Sequence, residues 1–209
     1  SVAALETQLK GLSDDNKKHL KMISDAAQRA NKVVIQLLSF SRYAAVRFKR
    51  RALHPILENV ISLARMIFKA RAIEFHQEFI NRDLYVDVDK ILIEQVFFNL
   101  VANAADSIVG GGKIIIRTNV IELIDKKRKE VVVVVEDTGG GILEEFRSKI
   151  FEPFFTTKEV GKGTGLGLSV VYTILERHGG RISFESETGK GTKFFVVLPL
   201  PSDPASEES

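Results

Sequence analysis

Four short segments hold the residues whose types and spacing suit chemistry. In the first, Asn99-Leu100-Val101-Ala102-Asn103-Ala104-Ala105-Asp106, the two asparagines stand four apart and share one helix face. Asparagine is a mediocre helix former, so two on one face of an otherwise apolar helix need a reason. An amide oxygen there can help hold a hard cation such as magnesium, together with phosphate oxygens; polar core contacts or a helix-end cap explain the pair equally well. In the second, Asp137-Thr138-Gly139-Gly140-Gly141-Ile142 follows the apolar run 131–135. An aspartate at a strand end can accept a hydrogen bond from an exocyclic amine such as that of adenine, worth about 1.5–3 kcal/mol, and glycines let a ligand approach the backbone. Read alone, this is a tight turn with a capping aspartate. The third, Phe151-Glu152-Pro153-Phe154-Phe155-Thr156-Thr157-Lys158, sets phenylalanines around a proline. It suggests a hinged flap with Thr157 and Lys158 in reach of phosphate, against the plainer alternative of an apolar loop anchored to the core. The fourth, Gly163-Thr164-Gly165-Leu166-Gly167-Leu168, opens a helix, and the free N–H groups of a helix N-terminus suit phosphate. It is neither a Walker A loop, since no Gly-Lys-Ser/Thr closes it, nor a dinucleotide fingerprint, since no strand–turn–helix of the right spacing surrounds it.

The elements that must position these segments follow from the hydrophobic pattern. After a short apolar stretch over 2–9, Ser13-Asp14-Asp15 reads as a helix cap with an acidic first turn. Leu20, Ile23, Ala27, Ala30, Val34, Leu37 and Ser41 then fall three and four apart, a heptad seam that points to a helical hairpin or bundle. Lys49-Arg50-Arg51 precedes His54-Pro55, where a second helix is expected, with Ile56, Val60, Leu63 and Ile67 on its apolar face. A period of two over 73–79 predicts a strand, and 85–88 a second. A helix is expected over 89–109, ended by Gly110-Gly111-Gly112. Strands follow over 113–121 and 131–136, joined by a charged hairpin over 125–130; then come a helix over 168–177 and two strands over 181–187 and 192–198. The tail from Pro199, rich in proline, serine and acid, reads as disordered. This succession predicts an α/β (α+β) two-layer sandwich, a mixed sheet with helices on one face.

Composition sets the bounds. The 209 residues are 44% hydrophobic, enough for a buried core, and carry 30 basic against 27 acidic side chains. That balance gives no ground for nucleic-acid binding. Without cysteine there are no disulfides or thiolate metal sites. No apolar run is long enough to cross a bilayer, and no secretion signal opens the chain. The expectation is a cytoplasmic fragment without membrane contact of its own, whose parent protein can still be membrane-anchored.

In order and spacing, NLVANAADS, DTGGGI, FEPFFTTK and GTGLGL resemble the N box, first glycine box, F box and second glycine box of sensor histidine kinases, relatives of gyrase-type topoisomerases, Hsp90-type chaperones and MutL-type repair proteins. Glu176-Arg177-His178-Gly179-Gly180-Arg181-Ile182 and Gly189-Lys190-Gly191-Thr192 match as well, so the likeness covers about Arg51 to Pro199. Leu37-Leu38-Ser39-Phe40-Ser41-Arg42 looks like the end of the second helix of the family's dimerisation hairpin. The resemblance implies a Bergerat-type ATP-binding fold over 51–200, a truncated dimerisation hairpin over 1–50 and a tail over 201–209. It implies ATP and Mg2+ as ligands, with Asn103 on the magnesium and Asn99 one turn earlier on the same face. Asp137 would take the adenine amine in a pocket shaped by Gly139 and Gly141. Phe151 to Lys158 would form the ATP lid, with Lys158 near the phosphates and Gly163, Gly165 and Gly167 closing it. Asp106, Ile142, Phe151, Thr157, Thr164, Leu166, Leu168 and Thr192 complete the expected ATP-binding set. Asn99 and Lys158 are the candidates for a catalytic role. Gly140 stands where the family often has proline, which contributes no donor.

The resemblance also implies a homodimer through the N-terminal helices, a response-regulator receiver domain as partner, and an acceptor histidine on the first hairpin helix. None of the four histidines fits that place. His19 lies on the second helix with no acid after it, His54 at a helix start, His76 in a strand, and His178 at a helix end, where a partly charged imidazole suits the dipole. The acceptor is expected a few residues before Ser1. Hydrolytic members of the superfamily carry a glutamate base one turn before the metal-binding asparagine. This chain has Asn99 there, and an amide cannot take a proton from water. A nucleotide-binding scaffold without catalysis is the reading from another class.

Overall fold

The computed structural model describes residues 15, 16, 18, 19, 22, 46–123, 128–159 and 163–201. The expected seam residues Leu20 to Ser41, the opening stretch 2–9, the hairpin tip 124–127, residues 160–162 of the flap and the tail from 202 lie outside the described residues. The chain divides into two compact units. One comprises 44–156 and 165–209 and holds every strand described below; the segment Thr157–Thr164 belongs to the other. In that other unit, Asp15 and His19 form an exposed pair 3.8 Å apart, one turn apart in sequence.

The larger unit begins with a strand that the sequence reading did not contain. β1 (Lys49–Ala52) pairs antiparallel with β3 (Tyr85–Val88), Lys49 opposite Val88 and Arg51 opposite Val86. Three consecutive basic side chains mask an edge strand, because the pairing is made by backbone groups while the buried valines come from β3. Arg50 meets Asp87 at 3.3 Å across the pair. Helix α1 (Leu53–Ile67) follows at once and buries Leu53, Ile56, Leu57, Val60, Ile61 and Ala64. Two of the four positions expected on its buried face are elsewhere: Leu63 and Ile67 are 42% and 51% exposed. The helix is apolar on most of its sides, so periodicity alone does not choose which stripe meets the core.

The main sheet is mixed, in the order β2 (Ile73–Glu78), β4 (Gly112–Leu123), β5 (Arg128–Asp137), β7 (Gly191–Pro199), β6 (Arg181–Glu187). β2 runs parallel to β4 and the other neighbours are antiparallel. The hairpin strands are longer than the sequence reading gave. Arg128, Lys129 and Glu130 belong to β5, opposite Leu123, Glu122 and Ile121. β7 extends to Pro199, and Leu200 N–H donates to the Lys129 carbonyl at 3.0 Å, so the chain beyond 198 is still tied to the sheet there.

Helix α2 (Lys90–Ser107) packs against α1 and α3 (Gly167–Arg177) and reaches β4, β5 and β7. Ile93, Val96, Phe97, Leu100, Val101, Ala104 and Ala105, spaced three and one apart, form its buried face. They meet Ile114, Ile116, Val131, Val133, Leu175 and Leu198 in one core cluster. Asp89 caps the helix, its carboxylate accepting from Ile91 N–H at 3.1 Å and Leu92 N–H at 3.4 Å. The opposite face of the sheet carries charge pairs such as Arg117 with Glu78 and Glu136, and Arg181 with Glu130.

Two histidines are built into this frame. His54 Nε2 lies 3.1 Å from Thr118 Oγ1, and its ring stacks on Phe79. His178 ends α3 in a buried position, where Nδ1–H donates to the Ile174 carbonyl at 2.7 Å and Nε2 accepts Asp89 N–H at 3.1 Å. Burial lowers its pKa. The imidazole is therefore neutral, not the partly charged group expected at a helix end: both ring nitrogens are committed, one as acceptor, and a protonated ring has no acceptor.

Candidate functional site

One row of side chains crosses the inner face of all five strands: Phe75, Ile114, Asp137, Thr192 and Ser186 stand opposite one another from β2 to β6. The row turns from apolar to polar at Asp137, which follows the buried Val131, Val133 and Val135 on the same face of β5. Asp137 is only 5% exposed. Its Oδ1 accepts from Gly139 N–H at 2.8 Å and from Ser107 Oγ at 3.0 Å. Burial pushes its pKa up, and the bonds from Gly139 N–H, the Ser107 hydroxyl and Thr192 N–H pull it back. A carboxylate held in place by donors at the floor of an apolar sheet can receive one more donor from a ligand.

The glycine turn after Asp137 is tied to its surroundings on both sides. Gly140 N–H donates to the Ser107 carbonyl at 3.1 Å, and Gly140 O accepts Gly189 N–H at 2.8 Å. Gly141 has φ +71°, and a Cβ there would lie 2.3 Å from the Glu187 carbonyl oxygen. No other residue fits both that backbone and that contact. Ile142 N–H donates to Ser186 Oγ at 2.8 Å, and this hydroxyl also meets Thr192 Oγ1 and the Gly191 carbonyl, each at 3.0 Å. Asp137, Gly139, Gly141, Ile142 and Thr192 thus form one connected group.

One turn of α2 away stand Asn103 and, a further turn back, Asn99. The two amides have different surroundings. Asn99 Nδ2 donates to the Gly167 carbonyl at 3.3 Å and so ties α2 to the first turn of α3. The half-buried Asn103 side chain makes no hydrogen bond among the described residues. A Cβ built on Gly167 would meet Asn103 Nδ2 in ordinary contact at 3.9 Å, so the amide lies beside the start of α3. Leu166, before α3, offers no side-chain cap, so first-turn N–H groups remain for an anion. Leu166 itself is buried and Leu168 half-buried. Among the described residues no group of three or more His, Cys, Asp or Glu is placed to hold a metal ion. Asn103 is thus a single hard oxygen donor, which suits Mg2+, an ion that keeps most of its waters and takes the rest of its ligands from phosphates.

The remaining expected residues divide. Phe151 is half-buried, its ring 6.1 Å from Tyr172 and 6.0 Å from Phe184, so it anchors the flap's first part to α3 and β6. Phe154 has φ +67°, and Gly165, itself at φ +66°, is pressed against it: a Cβ there would lie 2.3 Å from the Phe154 carbonyl carbon. Thr157, Lys158, Gly163 and Thr164 fall in the segment Thr157–Thr164, outside the larger unit, where Thr157 and Lys158 are exposed. Asp106 is not brought into the Asp137 group. Its carboxylate meets Arg71 at 3.0 Å, and the same guanidinium donates to the Ala105 carbonyl at 2.7 Å. The sequence reading missed Ser107, Ser186 and Gly191. Ser107 was findable as the third polar residue in the series 99, 103, 107 on one helix face; Ser186 has no signal in the sequence, since the Ile142 N–H that it accepts comes from a turn 44 residues away.

Known proteins resemble this chain in the same regions. The family described as histidine kinase-, DNA gyrase B-, and HSP90-like ATPases matches residues 88–202. Sensor kinase CckA of Brucella abortus is 43% identical over 198 residues, covering 90% of this chain but 21% of the relative, so the chain spans about a fifth of that protein. The catalytic domain of histidine kinase ThkA, in a nucleotide-free form, is 36% identical with a TM-score of 0.63, covering 73% of this chain and 95% of that domain. ThkA in complex with the response regulator TrrA is 30% identical with a TM-score of 0.73, covering 96% of this chain and 57% of that one.

Proposed function

The chain belongs to the histidine kinase-, DNA gyrase B-, and HSP90-like ATPase family and carries the catalytic ATP-binding domain of a sensor histidine kinase, and we propose that it binds Mg-ATP between α2, the glycine turn and α3 and supplies the γ-phosphoryl group to a histidine on a dimerisation helix. The observation that carries this reading is the buried Asp137 carboxylate, oriented by Gly139 N–H and Ser107 where the sheet row turns from apolar to polar.

In this reading Asp137 accepts the adenine amine, with Thr192, Gly139, Gly141 and Ile142 shaping the pocket. The free amide of Asn103 holds the metal, and the first-turn N–H groups of α3 receive phosphate. Asn103 would hold Mg2+, which would supply charge neutralisation to the group being transferred. Phe151, Thr157, Lys158, Gly163, Thr164, Gly165, Leu166, Gly167 and Leu168 are assigned to the lid and its hinge. Catalysis is then positioning: in-line geometry and charge stabilisation, with little covalent chemistry for the protein. Asp106 keeps no part in it, since Arg71 holds its carboxylate.

A hydrolytic switch of the same superfamily needs a general base near the attacking water. The side chain one turn before Asn103 is an amide, and its nitrogen already donates to Gly167, which supports transfer over hydrolysis. A receiver domain as the onward acceptor is supported by ThkA, which was solved in complex with a response regulator. Homodimerisation through the N-terminal helices of residues 1–50 and a domain boundary near residue 50 complete the proposal.

The test is calorimetry with Mg-ATP. Asp137→Ala leaves the adenine amine unpaired in a closed pocket, so affinity falls by at least about tenfold, the equivalent of one charge-assisted hydrogen bond. Unchanged affinity in the variant would remove Asp137 from nucleotide recognition and the proposal with it.

A further inference from the structure

We infer that Ser107 is the positioning residue for Asp137 and thereby sets the pocket's preference for an adenine base; the inference rests on the reading of Asp137 given above. Ser107 is the last residue of α2, one turn beyond Asn103. It joins the helix to the glycine turn twice. Its hydroxyl lies 3.0 Å from Asp137 Oδ1, and its carbonyl accepts Gly140 N–H at 3.1 Å.

The hydroxyl has one proton, and the Ala104 carbonyl, 2.8 Å away, competes for it. A bond to a carboxylate is charge-assisted and about twice as strong as a neutral one. While Asp137 is ionised, the proton therefore goes to Oδ1. The fit is close. A Cβ on Gly139 would lie 2.0 Å from Ser107 Oγ and 2.8 Å from Asp137 Oδ1, so hydroxyl and carboxylate meet only because that residue is glycine.

Gly140 contributes the second join. A Cβ there would meet nothing nearer than the Ser107 carbonyl oxygen at 4.0 Å, so no clash reserves the position for glycine. What matters is its N–H. Proline, the residue the family resemblance leads one to expect, has no N–H and cannot make this bond. The departure from the family pattern adds a contact, and that contact is to Ser107.

An ionised carboxylate offers about four acceptor positions. Gly139 N–H and the Ser107 hydroxyl both donate to Oδ1 and occupy two of them. That leaves Oδ2 for a further donor, and an exocyclic amine is such a donor. Without the Ser107 hydroxyl the carboxylate loses its partner on the helix side and is free to turn, and the preference for an amine is lost before the pocket is.

Inosine triphosphate is the probe, since it carries a carbonyl where adenine carries the amine. In the full 209-residue chain, Ser107→Ala is expected to weaken Mg-ATP about tenfold, the size of one charge-assisted bond, without weakening Mg-ITP, so that the ATP-to-ITP preference collapses by the same factor. Retained ITP binding also shows that the variant is folded. A fall in both affinities together marks a merely structural role and overturns the inference, as does an unchanged preference. A wild-type chain that does not prefer ATP over ITP overturns the inference together with the reading of Asp137 beneath it.

Discussion

Asn103 and Asn99 are the same residue type on the same helix face, yet their surroundings differ. The Asn99 amide nitrogen donates to the Gly167 carbonyl, whereas the Asn103 side chain makes no hydrogen bond among the described residues. The difference gives a selective prediction. Asn103→Ala removes a metal donor but no contact to the base. Binding of Mg-ATP is expected to weaken about tenfold or more, as for other lost bonds to charged groups, while binding of adenosine in the presence of EDTA stays unchanged. Calorimetry showing equal losses for both ligands would place Asn103 in the base pocket instead. From the sequence these two asparagines were legible as a pair but not as a division of labour, because the carbonyl that separates them arrives from α3, 68 residues on. Asp137 was legible because it ends a strand of five consecutive valines, after Glu136, and opens a glycine-rich turn. The pairing of Asp106 with Arg71 was not legible, because Arg71 lies in a segment with no pattern of its own.

Among the elements, strands with strict alternation and helices with regular spacing were found to within a few residues. The exceptions share a cause: β1, the extended hairpin strands and the last turn of β7 are held by backbone pairing, which leaves no mark on side-chain periodicity. The junction of α3 with α2 shows the opposite case, a specific side chain doing an element's positioning. His178 ties the end of α3 to Asp89, the cap of α2, and Phe48 packs edge-on against its ring at 5.2 Å. Burial lowers its pKa, with Asp89 opposing and Arg177 adding to the effect. Protonation therefore opposes the fold. Its stabilising contribution is complete above the ordinary histidine pKa of about 6.5 and is lost as pH falls toward the lowered folded-state value. The melting midpoint is expected to drop between pH 7.5 and 5.5, and His178→Gln, which can keep both hydrogen bonds without titrating, to flatten that slope. Parallel slopes in the two proteins would show that His178 is not the group responsible.

As a molecule the chain divides its tasks. Residues 44–156 and 165–209 form the unit that carries Asp137 with its donors, Asn103 and the start of α3. The segment Thr157–Thr164, with Thr157 and Lys158, belongs to the other unit. Among the described residues no helix is long and apolar enough to cross a membrane. His54 and His178 are built into the fold with their rings bonded, and His76 pairs with Glu74 at 3.2 Å on the exposed face of β2. None of these three is proposed as the acceptor, and under the proposed function the nucleophile comes from a dimerisation helix. The decisive experiment supplies that nucleophile: the chain is mixed with γ-labelled Mg-ATP and a dimerisation hairpin of a related sensor kinase bearing its acceptor histidine. Acid-labile label is expected on the hairpin's histidine, none on the hairpin without this chain, and none with the Asn103→Ala variant. Bound ATP with no label transferred, or acid-labile label on His19, His54, His76 or His178, would contradict the account.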